Sequence, residues 1–408
     1  MLVVQAASQP SRNQGRIGIA IAGGGPIGGM YELGALRALE TAIEGLDLNR
    51  LDVYVGVSSG AFLAAGLVNR LSTAEICRIF ITGNHPEIRF KPRMFLKPAF
   101  MEYGKRVTAM PGLAFDWWKS LIIDPSGVQM SELITRFTSA VPTGLFDNAP
   151  IEHFLREVFT GPGRNNDFRK LERPLYVVAV DLDRGQAVRF GSEGWDDVPI
   201  SQAVQASSAL PGLYPPVEIK GGHYVDGALR RTMHASVVLD HGIDLMIGLN
   251  PFVPFNAKSK PENAEHTSKL ADGGLLMVLS QTFRTLLQSR MQVGLEKYAR
   301  QYPETDQLVL EPDEDDAEMF FTNVFSYSAR HRVCQHAFKR TLHDLKARAD
   351  ILAPMLAKHG LKLNMAVLEN PDISLLDGIK PIQPRTAVTA QLWHNLDDVE
   401  HGLRKRKA

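Results

Sequence analysis

The sequence holds only two cysteines, Cys77 and Cys334, far apart in the chain and in no C-x-x-C pairing. That scarcity argues against a disulfide-stapled scaffold or a thiolate metal site and fits a reducing compartment. Excess charge of either sign is missing too. Forty-five Lys and Arg balance 45 Asp and Glu, so net charge gives no reason to expect nucleic acid as a partner. No apolar run reaches the ~20 residues of a membrane span; the most apolar stretch, ASVVLDHGIDLMIGLNPF, is broken by Asp240, His241 and Asp244. The opening MLVVQAASQPSRNQGR lacks the basic n-region and apolar core of a secretory signal. Residues 1–15 are therefore expected as a flexible N-terminus and the protein as cytoplasmic. Internal repeats are absent. The acidic run PDEDDAE (312–318) lacks the D-x-[DN]-x-[DN]-G pattern of a calcium loop and reads as a solvated helix start.

Short apolar runs separated by helical spacing are what the chain does contain. RIGIAIA (16–22), LDVYVGV (51–57), PLYVVAVDLD (174–183) and HGIDLMIGLN (241–250) read as strands. Leu33, Leu36, Leu39 and Ile43 recur at helical spacing after the first, and FLAAGLVNRL follows the second as a buried helix. Strands alternating with helices of this length predict an α/β domain with a mostly parallel sheet covered on both faces. Residues 84–120 mix Lys and Arg with Phe, Met, Tyr and the pair Trp117–Trp118, and read as an insertion or lid. Its aromatics serve either the core or a lipid surface. From about 256 the composition turns polar, and helices are expected around 274–300, 330–358 and 386–404. The expected organisation is a catalytic domain over 16–255 and a mainly helical region over 256–408.

Two glycine motifs carry the chemistry. Gly23, Gly25 and Gly28 fit G-x-G-x-x-G, a spacing that can hold a dinucleotide pyrophosphate. Such a site wants an acidic residue at the end of the next strand. Here that strand ends in Ser58, Asp52 precedes it, and Pro26 removes one amide from the loop. The next strand instead runs into Gly56-Val57-Ser58-Ser59-Gly60, a G-x-S-x-G between strand and helix. That context suits a nucleophile lifted off the sheet at a helix N-terminus, where developing negative charge is favoured. The glycine turn then supplies amides to an oxyanion: Gly23, Gly24, Gly25, Ile27 and Gly28 are the candidates.

A general base is harder to place. His223, His234 and His241 follow Ser58, as an α/β-hydrolase triad requires, but only about one strand precedes the elbow. Asp226-Gly227-Ala228 ends a further short strand, where an aspartate alone reads as a turn or cap.

Taken in order, G-G-G-x-x-G, G-x-S-x-G and D-G-A, with QASSALPGLYPPVEI (205–219) ahead of the last, resemble the patatin-like phospholipases over residues 16–252. The resemblance implies a three-layer α/β/α sandwich and a Ser–Asp dyad without histidine. Ser58 would be the nucleophile, Asp226 the general base, and the amides around Gly24 and Gly25 the oxyanion hole. It implies a lipid acyl hydrolase of phospholipase A or lysophospholipase type, acting through an acyl-enzyme on an ester substrate. No cofactor or metal is expected, and peripheral contact with a membrane stays open. The sequence departs from the family pattern at Ala22, commonly Asp, and at Ile27, commonly Arg or Lys. Three rival readings stay open: a dinucleotide-binding protein, a non-catalytic lipid-binding module and a Ser–Asp–His hydrolase. Asp181 and Asp183 read as loop hydrogen-bonding groups, Cys77 as a core residue, and His153, His223 and His234 as structural or surface histidines.

Overall fold

The computed structural model describes residues 1–10, 15–100, 143–259, 270, 272–321 and 327–379. Five strands run parallel: β2 (Ile17–Ile21), β4 (Val53–Gly56), β5 (Leu175–Asp181), β9 (Leu245–Leu249) and β10 (Asp306–Leu310). Along the sheet their order is β10-β9-β2-β4-β5. The strand β1 (Leu2–Gln5) closes the β10 edge in antiparallel register, Leu2 opposite Leu310. Beyond β5 the sheet turns antiparallel, with β6 (Gln186–Phe190), β7 (Val217–Ile219) and β8 (Gly222–Asp226). A separate two-residue ladder joins β3 (Ile43–Glu44) to β11 (Lys362–Leu363).

Side chains alternate across the parallel strands, as a pleat dictates. Ile17, Ile19 and Ile21 of β2, with Leu245, Ile247 and Leu249 of β9, enter one apolar layer. Ala20, Val53, Val55 and Met246 enter the other. The first layer is covered by α1 (Gly25–Ala42), α2 (Ser59–Val68), α3 (Thr73–Cys77), α4 (Ala149–Phe159), α5 (Ile200–Ser207) and α9 (Tyr327–Ala347). The second meets α6 (Ser236–Leu239) and α7 (Gly274–Gln301). The expected mostly parallel sheet with helices on both faces is therefore what the chain forms. Short helices α8 (Ala317–Phe321), α10 (Ala349–Ala357) and α11 (Met365–Glu369) complete the C-terminal region. Among the described residues no helix is long and apolar enough to cross a membrane.

Three expectations need correction. Residues 2–5 are a sheet strand rather than flexible chain, because β10 would otherwise leave its backbone groups unpaired at the edge. The boundary at 255 does not divide the fold: β10 lies beyond it and pairs with β9 residue for residue. The acidic run precedes α8 but does more than solvate it, since Asp313 pairs with Arg340 and Asp316 with His336. The two cysteines, remote in sequence, are both buried, and Cys334 has Cys77 as a side-chain partner. Of the lid segment, Ile88 and Phe90 are buried, and Phe90 packs edge-on against Phe80 and Phe154. Residues 101–120 of that segment, with Trp117 and Trp118, and the helix expected at 386–404 lie outside the described residues.

Candidate active site

Strand pairing explains how residues 168 positions apart come to adjoin. β6 occupies one side of β5 over residues 177–181. β4 and β8 must therefore share the other side, end to end. Gly56 of β4 lies opposite Val177, and Asp226 of β8 lies opposite Ala179. The chain leaves β4 two residues before Ser58, so Ser58 emerges where β8 ends.

Ser58 sits on a sharp turn between β4 and α2, with φ 50° and ψ −121°. A non-glycine residue there stores about 1–3 kcal/mol of strain. The surroundings hold it in place: the Ser58 N–H donates to Ser207 Oγ at 2.9 Å, and that hydroxyl donates to the Val178 carbonyl at 2.6 Å. Two residues on, the Ala209 carbonyl accepts from the Asp226 N–H at 3.0 Å. Segment 207–209 thus ties both candidate catalytic residues to one strand of backbone. Ser207 falls within QASSALPGLYPPVEI, where the sequence alone gives it no role.

Asp226 is 3% exposed. Its Oδ1 accepts from the Ala228 N–H at 2.9 Å, and the Ser58 side chain lies close by. Burial pushes its carboxyl up to about 6, with those two neighbours opposing the rise. Gly227 permits this approach, since a Cβ there would stand 2.1 Å from the Val178 carbonyl oxygen. Among the described residues no histidine bonds to Ser58 or Asp226. His223 meets Asp183 on the surface, and buried His234 faces the Gly227 carbonyl at 3.3 Å. Burial, reinforced by nearby Arg231, Arg189 and Arg230, lowers His234 to about 4. Asp181 accepts from the N–H groups of Asp183 and Arg184 and so closes the β5–β6 turn.

The glycine turn adjoins the serine. A Cβ on Gly23 would lie 2.8 Å from Ser58 Cβ, and Pro251, just after β9, crowds Gly24. Gly25 has φ +61°, a conformation suited to glycine. The amides of Gly23, Gly24, Gly25 and Ile27 have no hydrogen bond among the described residues, whereas the Gly28 N–H is spent on the Gly24 carbonyl at 3.0 Å. The Gly28 amide is thus occupied by the first backbone bond of α1. Neither α1 nor α2 has an acidic residue in its first turn, so both N-termini are left open to an anion.

The departures at positions 22 and 27 have a packing cause. Ala22 is wholly buried. Ile27 packs against a cluster of Tyr31, Met319, Val333 and Ala337 supplied partly by α8 and α9. A cation at 27 would be driven into that apolar contact. Asp52, the one acid near the dinucleotide spacing, sits at the opposite end of the strands, accepting from the Ile17 N–H at 2.9 Å.

A family model of the patatin-like phospholipases matches residues 19–239, more than half of the chain and both glycine turns and Asp226 within it. Among solved structures, the chain is similar to VipD from Legionella pneumophila (16% identity over 66% of this chain and 56% of that one, TM-score 0.31). It is also similar to the type III effector protein ExoU (18% identity, 86% of this chain and 63% of that one, TM-score 0.28). A third similarity is to the heterodimeric ExoU–SpcU complex from Pseudomonas aeruginosa (16% identity, 93% and 74%, TM-score 0.26). The chain thus spans less than two thirds of the first two.

Proposed function

The chain belongs to the patatin-like phospholipase family, and on that premise we propose that it hydrolyses carboxylic esters of lipids with Ser58 as nucleophile and Asp226 as base. One observation carries the reading: a serine on a strained strand-to-helix turn has a buried carboxyl near pKa 6 as its side-chain neighbour. An ordinary surface aspartate is too weak a base at neutral pH; a carboxyl raised to about 6 remains mostly ionised there yet accepts a proton more readily.

The steps follow from this arrangement. Asp226 takes the hydroxyl proton while Ser58 Oγ bonds to the ester carbonyl carbon, and the carbonyl oxygen becomes an oxyanion. The amides of Gly24, Gly25 and Ile27 are the donors proposed to receive it, each such donor contributing about 2.7–4 kcal/mol in comparable sites. The C–O bond to the leaving alcohol breaks, and Asp226 returns the proton to that oxygen. Water then attacks the acyl-Ser58 carbon, Asp226 accepting its proton and passing it to Ser58 as the acid departs. Histidine has no step to perform.

The test replaces Ser58 with Ala and Asp226 with Asn separately and measures hydrolysis of a soluble nitrophenyl ester and labelling by a fluorophosphonate. Both variants are expected to lose about 10³-fold or more in kcat, with the label absent from Ser58→Ala. A folded variant that turns over at the wild-type rate would overturn the assignment.

A further inference from the structure

Helix α7 buries Leu287 and Met291 beneath the sheet. On the flank beside that buried face the helix carries Leu279, Phe283, Leu286, Arg290, Val293 and Lys297, spaced four, three, four, three and four residues apart. That spacing makes one continuous stripe about 27 Å long. On an ordinary surface helix the exposed residues flanking the buried stripe are polar. Here Leu279 and Leu286 are each 48% exposed and Val293 67%, and a contiguous exposed apolar strip marks an interaction surface.

The C-terminal half of the stripe opens on a cavity of about 540 Å³ between α7 and the loop that follows Asp226-Gly227-Ala228. Arg230, Arg231, Arg290 and Lys297 line it. Neutral oxygens aim the three arginines: Arg230 donates to the Gly185 carbonyl, Arg231 to Ser236 Oγ and Arg290 to the Leu229 carbonyl. Among the described residues, none of the four cations has an ion pair. The single carboxylate of the lining, Asp240, is engaged by the Tyr302 hydroxyl.

Candidate occupants differ in how well they meet both halves. A second copy paired in parallel would set Arg290 on Arg290 and Lys297 on Lys297; paired antiparallel, it would lay those cations on leucines. A soluble anion would satisfy the cavity and leave the apolar half wet. Only a layer that is apolar beneath and anionic at its surface fits the whole stripe.

The geometry points to α7 and its cavity as the face that docks on an anionic phospholipid bilayer, with phosphate headgroups held by Arg230, Arg231, Arg290 and Lys297. The same helix braces the loops beside the candidate site: Arg290 holds the Leu229 carbonyl, and Arg284 holds the carbonyl of Pro251, which borders Gly24. Docking therefore sets those loops at the lipid surface. This deepens the lipid-hydrolase reading and rests on it for its purpose, though its test does not depend on turnover.

The full chain carrying Ser58→Ala is sedimented with vesicles of phosphatidylcholine alone and of phosphatidylcholine mixed with phosphatidylglycerol. Binding is expected to the mixed vesicles only and to weaken as salt is added. Phe283→Glu with Leu286→Glu, and Lys297→Glu alone, should each lower it at least tenfold. In the Ser58 background these variants should leave hydrolysis of a soluble short-chain ester unchanged, which also reports that they fold. Unaltered vesicle binding in the folded variants overturns the inference. So does a dimer in light scattering that Phe283→Glu with Leu286→Glu dissolves, since the stripe would then be a contact between copies. A failed dyad would instead show as ester hydrolysis surviving Ser58→Ala, whatever the vesicles report.

Discussion

Gly60, in the turn after Ser58, and Gly34, midway along α1, are crowded to the same degree. A Cβ on Gly60 would stand 2.3 Å from the Ala22 carbonyl oxygen; one on Gly34 would stand 2.3 Å from the Cys334 carbonyl oxygen. In both cases the obstacle is backbone, which cannot rotate away. Gly60 lets α2 start against the end of β2, and so fixes Ser58 beside the glycine turn. Gly34 lets α9 lie against α1, and so fixes the C-terminal region to the half that holds Ser58. The same steric constraint shapes the candidate site in one place and serves packing in the other. Only the first leaves a recognisable motif.

Gly60→Ala is expected to cost the most. Displacing the turn by about 1 Å should lower kcat on a soluble ester by roughly 100-fold or more, because reacting atoms lose their approach geometry. Gly34→Ala should cost stability instead. Alanine gains up to ~1 kcal/mol of helix propensity, but overpacking against backbone costs about 1–3 kcal/mol and prevails. Thermal unfolding should begin several degrees lower while kcat at 25 °C stays within about twofold. An active, destabilised Gly60→Ala together with an inactive but stable Gly34→Ala would break the comparison.

A middle-sized effect belongs to the carboxyl buried beside Ser58. Asp226 has a folded pKa of about 6, above its ordinary value, so the native state holds its proton more tightly than the unfolded chain does. Its charged form therefore lowers stability as pH rises through the window up to 6, and the same charged form is the proposed base. A plot of kcat/KM against pH should rise through about 6 and then level, losing about tenfold between pH 7 and pH 5. His234, lowered to about 4, stays neutral over that range and adds no second limb. Replacing His234 should leave the acid limb where it is.

What the sequence disclosed follows the same division. Period-two burial and helical spacing were enough for the parallel sheet and its two helical faces, because those patterns are local. Ser58 and Asp226 were legible because the glycines around them are demanded by close approach, and such demands recur at fixed spacing. The edge strand β1 was hidden, since LVVQ becomes a strand only when β10 is beside it. Ser207 was hidden for a related reason: its hydroxyl matters through the Ser58 N–H, 149 residues away. Ile27 reads as a missing cation until α8 and α9 are seen packed on it.

The smallest effect is expected at Glu32, on α1 between the glycine turn and Gly34. Its side chain is wholly buried, with Oε2 accepting from the Ser59 hydroxyl at 3.2 Å and Oε1 without a hydrogen-bond partner among the described residues. Burial pushes the carboxyl well above its ordinary value, the Ser59 bond opposing. The sign matches Asp226: stability is present while both states are protonated and falls as pH climbs from the unfolded pKa through the folded one. Glu32→Gln keeps the shape and an acceptor for Ser59 but removes the proton. Turnover at neutral pH should be unchanged, because this carboxyl faces Ser59 rather than Ser58. Urea unfolding should show the variant gaining on the wild type as pH rises, with the least difference in acid. A variant that loses turnover and keeps its stability would move Glu32 across the divide, from the packing of α1 to the chemistry of the turn.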